Sequence, residues 1–198
     1  MKPLLFDLPR LYGNIFIGVL VVWALSERVG ALLLRSSGAA SRRDRGFYWA
    51  VVGGMMIGIG GAFICAIRLP QLALTSHRYT VFWLGILFMV AGLALRWVAI
   101  YTLGRSFTLH VAIRENQALI QSGPYGILRH PAYSGVLLTM VGMALVLANW
   151  ASLVILVLGG LSGLLYRIRV EERALLEHFG QPYRDYMQRT DRLIPYIW

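Results

Sequence analysis

Five apolar runs constrain what this chain can become: Leu11 to about Ser26, Phe47 to Leu69, Val81 to about Ile100, Ala132 to Asn149, and Trp150 to Tyr166. A helix that crosses a bilayer needs roughly 20 apolar residues, and inside lipid every backbone polar group must be paired within the segment. The runs therefore predict an all-α integral membrane protein with about five transmembrane helices. The hydrophobic share of 58% excludes an ordinary soluble domain. The last two runs abut at Asn149-Trp150, which leaves no room for a loop and predicts a tight helical hairpin. Pro9 and Arg10 precede a first run that continues past any cleavage site, so it reads as a retained span and not as a secretory leader.

Charge orients the helices. Arginines on the cytoplasmic side put Arg35, Arg42, Arg43, Arg45, Arg105, Arg114, Arg129 and the tail from Arg167 inside, leaving Lys2, Arg10, Arg68 and Arg78 outside. The N-terminus is then external and the C-terminus cytoplasmic. The formal charge of +10 follows from topology and anionic lipid, not from nucleic-acid binding. Cys65 is the single cysteine, and His77, His110 and His178 are scattered, so neither a disulfide nor a metal site is expected.

Small residues at intervals of four, Gly54, Gly58, Ala62 and Ala66, predict a stripe where a second helix approaches closely, and Gly159 with Gly163 repeats it in the fifth run. Residues 1–100 read as a scaffold of three helices. Residues 101–198 read as the cofactor-binding and catalytic region, because about thirty non-apolar residues, Tyr101 to His130, form a connection too long to be featureless. Arg96 is expected to snorkel to the interface.

Beyond that connection, Gly123-Pro124 imposes a turn, and Pro131 presets the start of a helix. His130 precedes that proline and is steered away from the α region. Arg129, His130 and the unpaired N–H groups of the helix start suit a carboxylate or phosphate. The fifth helix should run on without Gly or Pro through Phe179, end at Gly180, and give way to another helix whose first turn holds Pro182. Leu175, Leu176, Phe179, Tyr183, Tyr186 and Met187 approximate an apolar stripe that folds back on the membrane or on the long connection. Arg167 with Glu171, and Arg169 with Glu172, have ion-pair spacing. A carboxylate there could bind an ammonium, and an arginine an anion.

In these residues the chain resembles the isoprenylcysteine carboxyl methyltransferases and their phospholipid methyltransferase relatives. The likeness covers Gln117 to Pro195. It rests on Leu119 through Gly123-Pro-Tyr125, Arg129-His130-Pro131 with Tyr133 and Gly135, Glu171-Glu172, His178-Phe179-Gly180 with Tyr183 and Tyr186, and Arg192-Leu-Ile-Pro195. The resemblance implies an S-adenosylmethionine-dependent methyltransferase without a nucleotide-binding βαβ unit. It would act on a lipophilic or lipidated acceptor such as an isoprenylcysteine carboxylate. Gln117, Leu119, Gly123, Tyr125, Arg129, His130, Tyr133 and Glu171 would line the cofactor, and Arg167 and Glu172 would be catalytic, with no metal. Many relatives have His where this chain has Gln117. The rival readings are an NADPH-dependent membrane reductase of the sterol or steroid type, suggested by the ending Ile194 to Trp198, and a non-enzymatic membrane protein. The single lysine among many arginines points to a prokaryotic inner membrane.

Overall fold

A computed structural model describes residues 9–33, 40–74, 76–104 and 118–196, with side chains of the second helix from residue 52 onward. Among the described residues six α-helices follow in order: α1 Arg10–Leu33, α2 Ala40–Arg68, α3 Arg78–Leu103, α4 Pro131–Leu147, α5 Trp150–Phe179 and α6 Gln181–Arg189. Short 3-10 turns occupy Pro70–Leu72 and Gly123–Gly126. The described residues hold no named strand, only isolated bridges between Ala73 and Asn149 and between Leu128 and Asp191. The chain is all-α, and the five apolar runs fall in α1 to α5.

Among the described residues three segments are long and apolar enough to cross a membrane, Arg10–Gly30, Arg78–Leu103 and Trp150–Phe179, while Val52–Arg68 and Pro131–Leu147 are shorter. α4 tolerates being short because it is enclosed. Of its residues Pro131, Ala132, Val136, Met140, Met143 and Leu147 are buried. A helix apolar all round belongs in the middle of a bundle. Large apolar side chains are instead exposed on the surrounding helices, among them Val22, Ile57, Leu87 and Leu158. Those faces have the chemistry of a lipid contact.

α3 and α4 lie antiparallel and unusually close. A Cβ added at Gly85 would stand 2.7 Å from the Gly142 carbonyl, and one at Gly92 2.5 Å from the Gly135 carbonyl. Glycine at all four positions lets the two backbones touch. The stripe expected on α2 is only half realised. Ala62 and Ala66 are buried, but a Cβ at Gly54 or Gly58 would meet nothing within 4 Å. On α5 the close approach is made by Gly160, against Met140, and a Cβ at Gly159 would meet nothing.

The hairpin between α4 and α5 is as tight as expected. Ala148 adopts the left-handed conformation and its N–H bonds back to Ala144 O and Leu145 O. Asn149 then caps α5, accepting from Ser152 N at 3.2 Å and donating to Leu69 O at 2.9 Å. α5 is one continuous helix to Phe179, and Gly180 at φ 60° ends it. Pro182 sits in the first turn of α6 as the sequence predicts.

Candidate active site

The polar site forms where the Gly123–Gly126 turn, the start of α4, the distal part of α5, and α6 with its following segment converge. Gly123 takes φ +58°, which a residue with a side chain adopts only under strain, and it directs the chain so that Tyr125 is buried. α6 closes over this turn. Tyr183 and Tyr186 are buried beneath it, and Tyr186 donates to Tyr125 O at 2.7 Å. The apolar stripe therefore folds back on the turn that ends the long connection.

Residues 190–193 then run beside 127–130. Arg129 N donates to Asp191 O at 2.7 Å, Asp191 N to Ile127 O at 3.0 Å, and His130 N to Arg192 O at 3.1 Å. This strand-like pairing brings Arg129 and Arg192 onto Glu172. Arg129 Nε lies 3.0 Å from Glu172 Oε1 and an Arg192 terminal nitrogen 3.1 Å from Oε2. His130 Nε2 is 3.4 Å from Oε1. Arg129 also donates to the carbonyls of Met187 and Thr190. Glu172 is 4% exposed, on the same helix face as the buried Leu164 and Ile168. It turns inward, away from the Arg169 partner that spacing suggested.

The first turn of α4 is covered as well. Tyr133 N and Ser134 N both donate to His130 O, Ser134 Oγ donates to Leu193 O at 2.6 Å, and His130 is 5% exposed.

A second polar cluster is more open. Glu171, Arg167 and Tyr133 are all half-buried. Arg167 Nε donates to the Tyr133 hydroxyl at 2.6 Å, and that hydroxyl donates to Glu171 Oε2 at 2.8 Å. The Arg167 guanidinium also lies over the Tyr133 ring, 5.7 Å from its centre. The same ring stacks on His130 at 5.6 Å, linking this cluster to the Glu172 lock. Burial, and then the nearby Glu171 carboxylate, pushes the Tyr125 hydroxyl well above its ordinary range. Burial pushes Tyr186 up to about 12.

Of the expected site residues, the fold gathers Tyr125, Arg129, His130, Tyr133, Arg167, Glu171 and Glu172. Leu119 is half-buried ahead of the turn, Gly123 shapes it, and Gln117 lies outside the described residues. Arg96 makes more than a snorkelling contact. Its Nε meets Glu27 Oε1 at 2.6 Å and a terminal nitrogen meets Oε2 at 2.8 Å, a two-pronged pair joining α3 to α1. Nothing local in the sequence gives Arg192 a site role, although it opens the Arg192-Leu-Ile-Pro195 motif. Its partner is 20 residues away and is reached only because the chain returns after α6. Among the described residues no group of three or more His, Cys, Asp or Glu could hold a metal ion.

A helical bundle with apolar outer faces and a polar site at one end of a buried hairpin defines an integral membrane protein with a candidate active site beside α5. The model of the isoprenylcysteine carboxyl methyltransferase (ICMT) family matches residues 83–177, from α3 to near the end of α5. A probable protein-S-isoprenylcysteine O-methyltransferase of Oryza sativa subsp. indica is 33% identical over 134 residues, covering 67% of this chain and 69% of that protein. The chain belongs to the ICMT family. Protein-S-isoprenylcysteine O-methyltransferase B of Arabidopsis thaliana is 37% identical over 115 residues, 57% of this chain and 58% of the relative's length. The Saccharomyces cerevisiae protein-S-isoprenylcysteine O-methyltransferase is 35% identical over 58% of this chain and 48% of its own length. The alignments thus span only about half to two thirds of these relatives. The solved structure of the eukaryotic intramembrane Ras methyltransferase ICMT superposes with a TM-score of 0.69 at 24% identity, over 94% of this chain and 68% of that one, and shares the fold.

Proposed function

We propose that the protein is an S-adenosylmethionine-dependent methyltransferase whose acceptor is the carboxylate of an isoprenylcysteine-like lipid, and that residues 101–198 carry the catalysis. The carrying observation is the Tyr133 hydroxyl held between Arg167 and Glu171, which sets a guanidinium and a carboxylate one helical turn apart at a half-buried site. The names of the curated relatives supply the acceptor class.

The residues fit the donor. Glu171 is the carboxylate for its ammonium, because Glu172 is already surrounded by Arg129, His130 and Arg192. Tyr125 borders its adenine, with Leu119 and Gly123 as the remaining wall. Arg129, His130 and Glu172 then position the site, a change from the direct contacts expected of them. S-adenosylmethionine, when bound, would supply an electrophilic methyl group on a sulfonium. Arg167 orients the acceptor carboxylate, and the enclosing side chains keep water out of a step that needs alignment more than proton transfer. A very strong clamp at Arg167 would stabilise the ground state, so sharing that guanidinium with Tyr133 is consistent with turnover.

The arginine distribution supports a cytoplasmic site, with the N-terminus outside and the C-terminus inside. The relatives named above are plant and yeast proteins, so composition alone supports placing the chain in a prokaryotic inner membrane.

Calorimetry with S-adenosylmethionine and with NADPH, on detergent-purified protein, tests the reading. The expected result is micromolar binding of S-adenosylmethionine, lost in Glu171→Gln, together with methyl transfer to an S-farnesylated N-acetylcysteine, lost in Arg167→Met. Binding of NADPH in its place would overturn it.

A further inference from the structure

The direction of hydrogen bonding around Tyr133 is fixed by chemistry. A phenol has one proton and Arg167 Nε can only donate, so the phenol proton must go to Glu171. The three groups form a polarised chain running from cation to phenol to anion. We propose that the Tyr133 hydroxyl couples the donor and acceptor sites, so that an ammonium placed on Glu171 raises the affinity of Arg167 for a carboxylate. This inference rests on the methyltransferase reading and adds a positioning residue to it.

The physical argument concerns charge compensation. With the site empty, the Glu171 anion draws the phenol proton toward itself and makes the phenol oxygen a better acceptor, which holds Arg167 at 2.6 Å. Neutralising Glu171 with an ammonium removes that polarisation and cancels a carboxylate charge one helical turn from Arg167. The guanidinium is then less well compensated and attracts the acceptor carboxylate more strongly. Reciprocity requires the acceptor to favour the donor by the same factor. The consequence is preferred loading of both ligands together, which suits a reaction that produces nothing from either alone.

Tyr133→Phe isolates the hydroxyl, because phenylalanine keeps the ring that stacks on His130 and lies under Arg167. The experiment measures dissociation constants of S-adenosylhomocysteine and S-farnesyl-N-acetylcysteine for the full chain in detergent, each alone and with the other saturating. In the wild type the acceptor constant should fall about tenfold when S-adenosylhomocysteine is present, within the usual range for coupled sites. In Tyr133→Phe that ratio should fall well below the wild-type one, leaving only the direct charge effect between Glu171 and Arg167, while the acceptor alone binds as well as to wild type or better. A purely structural role would instead weaken acceptor binding along with thermal stability, and that result would overturn the proposal. So would a ratio unchanged by the substitution, or a wild-type ratio of one when both ligands bind. Failure of the wild type to bind S-adenosylhomocysteine at all would overturn the methyltransferase reading itself, a result distinguishable from the others.

Discussion

Gly92→Ala should be among the most damaging single-methyl additions available in the bundle. The new Cβ would lie 2.5 Å from the Gly135 carbonyl oxygen and from Thr139 Oγ1, and 2.7 Å from Thr139 N. Ordinary contact between non-bonded atoms begins near 3.5 Å, so α3 and α4 must part by about 1 Å. Two of the three obstructing atoms are backbone, and no rotamer change relieves them. Overpacking of this kind costs about 1–3 kcal/mol, which for a chain of this size lowers Tm by about 2–12 °C. Gly58→Ala is the control, since a Cβ there meets nothing within 4 Å and alanine is the better helix former, so it should be neutral or stabilising by up to about 1 kcal/mol. The double variant Gly92→Ala/Gly135→Ala should cost less than the sum of its parts, because one separation of the helices relieves both methyls. Thermal unfolding of five proteins in one detergent, the wild type, Gly92→Ala, Gly135→Ala, the double variant and Gly58→Ala, checks the set. A Gly92→Ala protein that melts with the wild type would refute the register assigned to α3 and α4, and a Gly58→Ala protein that loses as much as expected of Gly92→Ala would refute the open space beside α2.

The two adjacent glutamates should part company. Glu172→Gln leaves the largely buried Arg129 and the half-buried Arg192 without their shared anion, and should cost about 3–5 kcal/mol and expose the segment after α6 to limited proteolysis. Glu171→Gln should keep the wild-type Tm while losing S-adenosylmethionine in calorimetry. Asn149→Ala removes the α5 cap and the bond to Leu69 O, and should lower stability by about 1–3 kcal/mol in the same melting assay. Tyr186 ionises near 10 when exposed and near 12 in the fold, so its protonated form is favoured by the native state. The associated stability is complete below pH 10 and lost as pH rises through 12, and an alkaline denaturation series should show that fall flattened in Tyr186→Phe.

Much of the architecture is legible in local chemistry. Apolar runs have to become helices in lipid, Pro131 can only begin one, Gly180 followed by Pro182 ends one and starts the next, and Asn149 between two runs leaves space for a turn and nothing more. The segment from Arg129 to Tyr133 also reads as polar machinery at the head of an apolar helix. These inferences depend on a residue and its near neighbours along the chain.

Partnership between distant segments is another matter. Periodicity places Glu171 and Glu172 side by side but cannot tell which faces the interior, and that choice separates an open carboxylate from a neutralised lock. Arg192 reaches Glu172 only after α6 has turned the chain back to lie beside Leu128. The same holds for the glycines. Gly54 and Gly58 looked like a packing stripe and face nothing, whereas Gly85, Gly92, Gly135 and Gly142 meet because α3 and α4 settle in one antiparallel register. A small side chain grants permission for close approach without naming the partner. Sequence therefore determined the helices and marked a candidate region of chemistry, while tertiary packing, through a long-range choice among many feasible neighbours, decided which charge is buried, which is open, and which helices touch.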